Sequence, residues 1–308
     1  MPDDSKAARP GLAERLLPSR LIEATSTLTS FERAAVVLAR LTNETPGLKR
    51  IGMGVTDLIT ATWVKPFIAS RIYVEGIDEL AHDEPERGVM VVSNHRSFFD
   101  MYSFMLCLNM MDASWVKRMY FPVRANFFYE NPVGVAINYL VSGGAMYPPI
   151  FRDASKAEFN KNTLDRVASL LSRSDTIVGL HPEGTRGKGP DPYEMLPAQP
   201  GVGQIVLQAR PILVPFFVNG LPNRVRAVVT DTYARDARRK NPIILIVGEP
   251  IDYSALAAKK PRLALYKRCA DQMMQAIREL SERERAVRDS CARGEISDDD
   301  PCWLVNRI

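Results

Sequence analysis

Apolar residues recur at helical spacing from Ser30 to Ser70: Phe31, Ala34, Ala35, Leu38 and Leu41, then Ile51, Val55, Leu58 and Ile59, on either side of Thr45-Pro46-Gly47. The pattern predicts a helical hairpin. Two uses fit it, a packing element that covers the main body or a membrane-docking face with Trp63, Lys65 and Phe67 at the interface. Beyond residue 70 short β-rich runs alternate with helical patterns. Strands are expected at Arg71 to Glu75, Gly88 to Ser93, Ser114 to Tyr120, Ala145 to Phe151, Thr176 to Leu180, Pro211 to Val218 and Pro242 to Gly248. Helices are expected at Asp100 to Met111, Pro132 to Val141, Ser155 to Ser172, Val202 to Ala209 and Pro261 to Ser281.

Strands that alternate with helices predict an α/β fold, a mostly parallel sheet flanked by helices, with the N-terminal helical hairpin added to it. Met90-Val91-Val92 and Ile243-Ile244-Leu245-Ile246-Val247 are continuously apolar, as strands buried on both faces are. The chain divides into a flexible arm (1–29), the hairpin (30–70), one α/β domain (71–285) and a charge-rich tail (286–308) without a clear period. In that tail Cys302-Trp303-Leu304-Val305 is the one apolar cluster, suited to docking on the body or to lipid.

Composition narrows the partners. Forty Lys and Arg against thirty-six Asp and Glu leave a net charge of only +4, which argues against nucleic acid as the main partner and leaves room for a local basic patch on anionic lipid. Cys107, Cys269, Cys291 and Cys302 have no C-x-x-C spacing, so a reducing compartment is expected. Met1 to Arg20 lacks the apolar core of a secretory signal. The longest uncharged run, Asn131 to Phe151, is interrupted by Pro132, Pro148 and Pro149 and reads as a buried helix followed by a strand rather than a membrane span. Any membrane contact is therefore expected to be peripheral.

Candidate chemistry follows the expected strands. His95 comes after Val89 to Val92, Arg152 after Ala145 to Ile150, and Glu183 and Arg186 after Ile177 to Leu180. Loops at the carboxyl ends of strands in an open α/β sheet line one crevice, so these residues are expected to converge. An imidazole titrates near neutrality and can take a proton from an alcohol, and Asp100, five residues on, can fix its tautomer from the first turn of a helix. The plainer alternative is that Asp100 only caps the helix while His95 packs at a strand end. Gly184 permits a tight turn, and the planar forks of Arg186 and Arg152 match phosphate oxygens. Cys107 lies in an apolar helix and reads as a structural thiol rather than a nucleophile.

Asn94-His95-Arg96-Ser97-Phe98-Phe99-Asp100, His181-Pro182-Glu183-Gly184-Thr185-Arg186 and Ile212-Leu213-Val214-Pro215 resemble, in this order, three blocks of the glycerolipid acyltransferases. His181 stands where that family's block has phenylalanine, and Gly144 and Arg152 stand farther apart than the usual intermediate block. The resemblance implies transfer of an acyl group from acyl-CoA or an acyl carrier protein, as co-substrate and without a cofactor or metal, to a hydroxyl of a lysophospholipid such as lysophosphatidic acid. It also implies His95 as general base and Asp100 as its orienting partner. Arg152, Glu183, Gly184, Thr185 and Arg186 would then hold a phosphorylated acceptor, with Asn94 and His181 as accessory residues. The implied setting is cytoplasmic, on the inner face of a membrane. Glycerol 3-phosphate, an aminolipid or a glycolipid precursor could serve the same base as acceptor, and a lipid-binding module without turnover stays open. A metal-dependent hydrolase using His95, Asp100, His181 and Glu183 lacks H-E-x-x-H spacing. The segments Phe98 to Met111 and Met119 to Tyr129 are candidates for an acyl groove, or for core.

Overall fold

The first long helix starts where the sequence supplies a capping box: Thr29 Oγ1 accepts from the Glu32 N–H, and the Glu32 carboxylate accepts from the Thr29 N–H. The computed structural model describes residues 25–307, so most of the expected arm, residues 1–24, and residue 308 lie outside the described residues. Helices of eight residues or more and strands follow in the order α1 (Ser30–Glu44), α2 (Pro46–Ile59), β1 (Ile72–Glu75), β2 (Val89–Ser93), α3 (Asp100–Met110), β3 (Arg118–Tyr120), β4 (Val123–Arg124), α4 (Pro132–Ser142), β5 (Pro149–Ile150), α5 (Ala157–Leu170), β6 (Thr176–Leu180), α6 (Pro200–Ala209), β7 (Ile212–Asn219), α7 (Val225–Thr232), β8 (Ile243–Val247) and α8 (Leu263–Arg293).

The main sheet has the order β1-β8-β7-β2-β6-β3, and every neighbouring pair is parallel except β7 with β8. The fold is thus the α/β class that the apolar pattern predicts, with the hairpin formed by α1 and α2. All residues of β2 and β8 are buried. The chain leaves β2 toward β3 on one side and leaves β6 toward β7 on the other. Right-handed crossovers then put the connecting helices α3 and α6 on opposite faces of the sheet. The carboxyl ends of β2 and β6, adjacent in the sheet, lie where these connections pass to opposite faces, and a crevice is expected at such a point.

Three segments differ from the pattern-based expectation. Only Arg118–Tyr120 of the run Ser114 to Tyr120 is strand, because Asp112 takes a left-handed turn and Trp115 packs inward with its indole N–H donated to the Leu80 carbonyl. Ala145 to Phe151 supplies only β5, which pairs with β4 in a separate two-stranded sheet. Pro148 and Pro149 have no N–H to give a longer ladder. The helix before it, α4, is not fully buried: Val133 and Leu140 are exposed.

The tail departs most from its reading. Helix α8 runs to Arg293 and ends at Gly294, which takes the left-handed conformation of a helix cap. Its inner stripe is Ile277, Ser281, Glu284, Val287 and Cys291, and the two polar members hide the period. Glu284 is buried because Arg288 pairs with it at 2.6 Å and the Tyr193 hydroxyl donates to it at 2.8 Å. Trp303 then returns to the body, bridging edge strand β1 at Tyr73 with the two rings edge-on at 5.2 Å. The apolar cluster of the tail covers a sheet edge.

The hairpin is bolted to the body. Lys49 of α2 is buried, and its ammonium donates to Asn43 Oδ1 at 3.0 Å and to the Met119 carbonyl at 2.6 Å; Thr56 donates to the Ser142 carbonyl. Burial, with Arg118 adding repulsion, pushes the Lys49 amine down to about 7. The outer side of the same helix carries Leu48, Ile51, Val55 and Leu58 into solvent, followed by Trp63 at 67% exposure.

Candidate active site

Helix α3 begins at Asp100 itself, three residues later than a start at Ser97 would put it. The carboxylate turns back on the residues before it: Asp100 Oδ2 accepts from the N–H groups of Arg96 and Ser97, both at 2.9 Å, and lies 3.1 Å from His95 Nδ1. One side chain therefore ties down the loop before the helix and fixes the imidazole, and the helix has no side-chain cap. With Nδ1 carrying the proton toward Asp100, Nε2 is the basic nitrogen. His95 keeps 21% of its side chain accessible, whereas Asp100 keeps 2%.

Strand β6 brings the second segment alongside. His181 stacks face to face on His95, ring centroids 3.8 Å apart and planes 7° from parallel. Its Nδ1 donates to the Asn94 carbonyl at 2.9 Å. Asn94 turns its amide away from the crevice, exchanging hydrogen bonds with both the N–H and the carbonyl of Val218 in β7. The Gly184 N–H donates to the His181 carbonyl in a turn that needs the positive φ of 63° found at Gly184.

Glu183 is the residue whose place differs most from the role the resemblance implies. It is buried; one carboxylate oxygen accepts from the His95 main-chain N–H and the other from the Leu196 N–H, each at 2.7 Å. The Gly187 N–H in turn donates to the His95 carbonyl at 2.9 Å. Both main-chain groups of His95 are thus tied to the loop after β6. Both Glu183 oxygens accept main-chain N–H groups of the surrounding loops.

Three arginines belong to the same region. Arg186 is exposed, donates to Asn223 Oδ1 at 2.9 Å, and acts electrostatically on both His95 and Asp100. Thr185 lies between Gly184 and Arg186 and is half-buried. Arg124 closes β4 and acts on His95 as well, although it belongs to none of the sequence motifs. Its one signal was its place after the apolar run Tyr120-Phe121-Pro122-Val123, the position that drew attention to Arg152 and Arg186 after theirs. Arg152 is exposed, two residues beyond β5, and its charge meets that of Arg124, whose register partner is Ile150. The small sheet thus gathers Arg124 and Arg152 on one rim.

Charge and burial set the protonation states. Burial pushes the His95 imidazole down to about 3, with Arg186 and Arg124 contributing, so the ring is neutral at physiological pH. Burial also pushes His181 down to about 3, with His95 next to it opposing a second charge. Asp100 is raised to about 6 by burial, against the pull of His181, the two N–H donors and Arg186, and is ionised at neutral pH. Burial raises Glu183 in the same direction, against the N–H groups of Leu196 and His95.

The histidines and Asp100 place ligand atoms within 4.8 Å of one another. Imidazole lone pairs lie in the ring plane, and stacked parallel rings cannot both aim at one ion about 2.1 Å from each nitrogen. The arrangement favours a base over a metal centre. Cys107 is buried in α3 and its thiol is pushed up to about 12 by burial, so it offers no thiolate.

An acyltransferase family model matches residues 71–219. This segment, about half of the chain, is similar to the acyltransferase family. No curated protein matches the chain. The acyltransferase segment begins just before β1 and ends with β7, so it contains the His95 and His181 loops, the rim arginines and the strand that fixes Asn94. The hairpin and α8 lie outside it and pack on the matched segment. Helix α3, one of the two candidate acyl-groove segments, is core: residues Met101 to Leu108 are all buried. Phe98 instead meets Phe127 and Phe128 at 6.4 and 6.0 Å, an aromatic cluster beside the crevice.

Proposed function

We propose that the protein moves a fatty acyl group from an acyl thioester, acyl-CoA or acyl carrier protein, to a hydroxyl of a lysophospholipid such as lysophosphatidic acid. The observation that carries this reading is His95, oriented by Asp100, with Arg186 and Arg124 near enough to act on its ring and Arg152 beside Arg124. The acceptor hydroxyl attacks the thioester carbonyl while His95 Nε2 takes its proton. The tetrahedral intermediate collapses with cleavage of the carbon–sulfur bond, and the imidazolium returns that proton to the leaving thiolate. Asp100 holds the tautomer and stabilises the imidazolium between the two steps. Arg186, Arg124 and Arg152 supply planar donors to the acceptor's phosphate. Gly184 and Thr185 shape the turn that presents Arg186. No acyl-enzyme is required, in keeping with the buried thiol of Cys107.

The test is release of free thiol from acyl-CoA or acyl carrier protein in the presence of individual acceptors, with the product identified by mass. Lysophosphatidic acid should support turnover at least tenfold above the same glyceride without phosphate, since each charge-assisted contact is worth about 1.5–3 kcal/mol. Equal rates with and without the phosphate would remove the arginine rim from the reading. Turnover with glycerol 3-phosphate, an aminolipid or a glycolipid precursor alone would move the acceptor to that class.

Acceptor and product of such a reaction live in a membrane, and the outer face of α2 suits a bilayer surface. Among the described residues no helix is long and apolar enough to cross a membrane. The reading is therefore peripheral attachment, on the cytoplasmic side, through Leu48, Ile51, Val55, Leu58 and Trp63. Ile51→Glu with Leu58→Glu should lower binding to phosphatidylglycerol vesicles by at least about tenfold, because each side chain would lose roughly 1.5–3 kcal/mol of apolar burial. Turnover of a short-chain, monomeric acceptor should stay within about twofold. Vesicle sedimentation and the soluble assay check both, and undiminished sedimentation would clear α2 of the role.

A further inference from the structure

Asp100 holds the His95 ring at a single edge, through Nδ1. One hydrogen bond in the ring plane leaves an imidazole free to tilt about that contact. The face of the His95 ring is covered by His181, 3.8 Å away and 7° from parallel, and His181 is itself pinned by its hydrogen bond to the Asn94 carbonyl, the main chain directly before the base. Ser93 Oγ and the Ser93 carbonyl stand 3.1 and 3.3 Å from the same nitrogen. The second ring therefore has its own anchor, independent of His95, on the strand that carries His95.

The stack does not conduct a proton, because N–H bonds and lone pairs lie in the ring planes and not between them. Its effect is steric and orientational. Burial holds His181 uncharged, which the arrangement needs: a charged ring against the face of His95 would repel the imidazolium formed when the base takes its proton.

We propose that His181 is a positioning residue, a flat, anchored surface that keeps the plane of the His95 ring aligned with Asp100 so that Nε2 faces the acceptor hydroxyl. The proposal rests on His95 being the general base. It assigns the substitution of histidine for the usual phenylalanine a definite demand: a flat ring at this position, with anchoring to Asn94 as the addition.

The experiment compares His181→Phe and His181→Leu with the parent, using palmitoyl-CoA and lysophosphatidic acid in micelles and, separately, 15N NMR of the histidine ring nitrogens. Leucine, similar in volume but not flat, should lower kcat by about tenfold or more, since small misalignments of reacting groups are costly, with KM for lysophosphatidic acid within about twofold. Phenylalanine should recover kcat to within about threefold. The His95 nitrogens should report one tautomer, Nδ1–H, in the parent and the phenylalanine variant, and an averaged pair in the leucine variant. Equal kcat for phenylalanine and leucine, a KM that rises in step with the loss of kcat, or unchanged His95 signals in the leucine variant would each overturn the proposal, the second by making His181 an acceptor contact. Should the leucine variant fail to fold, His181→Met takes its place under the same criteria. Absence of turnover in the parent would count against acyl transfer to this acceptor, whereas the nitrogen signals judge the positioning role without turnover.

Discussion

His95→Ala should abolish acyl transfer to every acceptor while leaving the fold in place. General-base catalysis is worth roughly 10²–10⁴ in rate, and in the proposed mechanism the substitution removes the base together with the group that reprotonates the leaving thiolate. A partly accessible ring at the end of β2 is not a keystone of packing, and the main-chain contacts of residue 95 with Glu183 and Gly187 remain available to alanine. Thiol release and product mass measure the activity, and thermal unfolding followed by circular dichroism measures the fold. Turnover above about a tenth of the parent would remove His95 from the mechanism. The pH profile carries a second sign of the same role. Burial and the nearby Arg186 and Arg124 hold the imidazole uncharged far below the ordinary histidine range, so protonation of a free imidazole should not set the acid limb of kcat/KM. The first loss on acidification should instead come when the His95–Asp100 pair takes up a proton, near the value of about 6 to which burial raises Asp100.

Glu183→Ala should damage stability and kcat together, and acceptor KM least. The carboxylate accepts from two main-chain N–H groups, those of His95 and Leu196. A buried donor left without a partner costs about 1–3 kcal/mol, so the pair amounts to about 2–4 kcal/mol after relaxation. The same loss frees the loop that carries His95, and kcat should fall by about 10²-fold as the base drifts from its reacting geometry. A residue that bound the acceptor directly would show the opposite split, with a large rise in KM and a normal melting temperature. Denaturant unfolding alongside steady-state kinetics separates the two, and an unchanged midpoint with raised KM would restore Glu183 to the acceptor site. Arg186→Ala supplies the contrast within the same turn: its guanidinium is exposed and reaches Asn223 but braces no buried main chain of the base.

Much of the site could be read from the chain because its parts are local. Asp100 reaches His95 across five residues, through a turn that a helix N-terminus imposes. Gly184 declares its turn by having no side chain. The buried strands β2, β6 and β8 show as apolar runs since they are covered on both faces. The reading failed where polar residues interrupt an inner stripe or prolines interrupt a strand. Glu284 and Ser281 disguised the last turns of α8, and Pro148 and Pro149 reduced an apparent strand of the main sheet to a two-residue ladder beside it.

The sequence by itself determined the α/β class, the helical hairpin and the pairing of a histidine with a carboxylate, because these depend on periodicity and on contacts a few residues apart. Only the tertiary structure decided which cations stand at the crevice, that Glu183 spends both oxygens on main-chain N–H groups, and that His181 lies flat on His95. Apart from the contact of Glu183 with Leu196, those relations join residues about 30 to 90 positions apart. They depend on the order in which strands enter the sheet and on the register between them, and neither leaves a local trace in the chain.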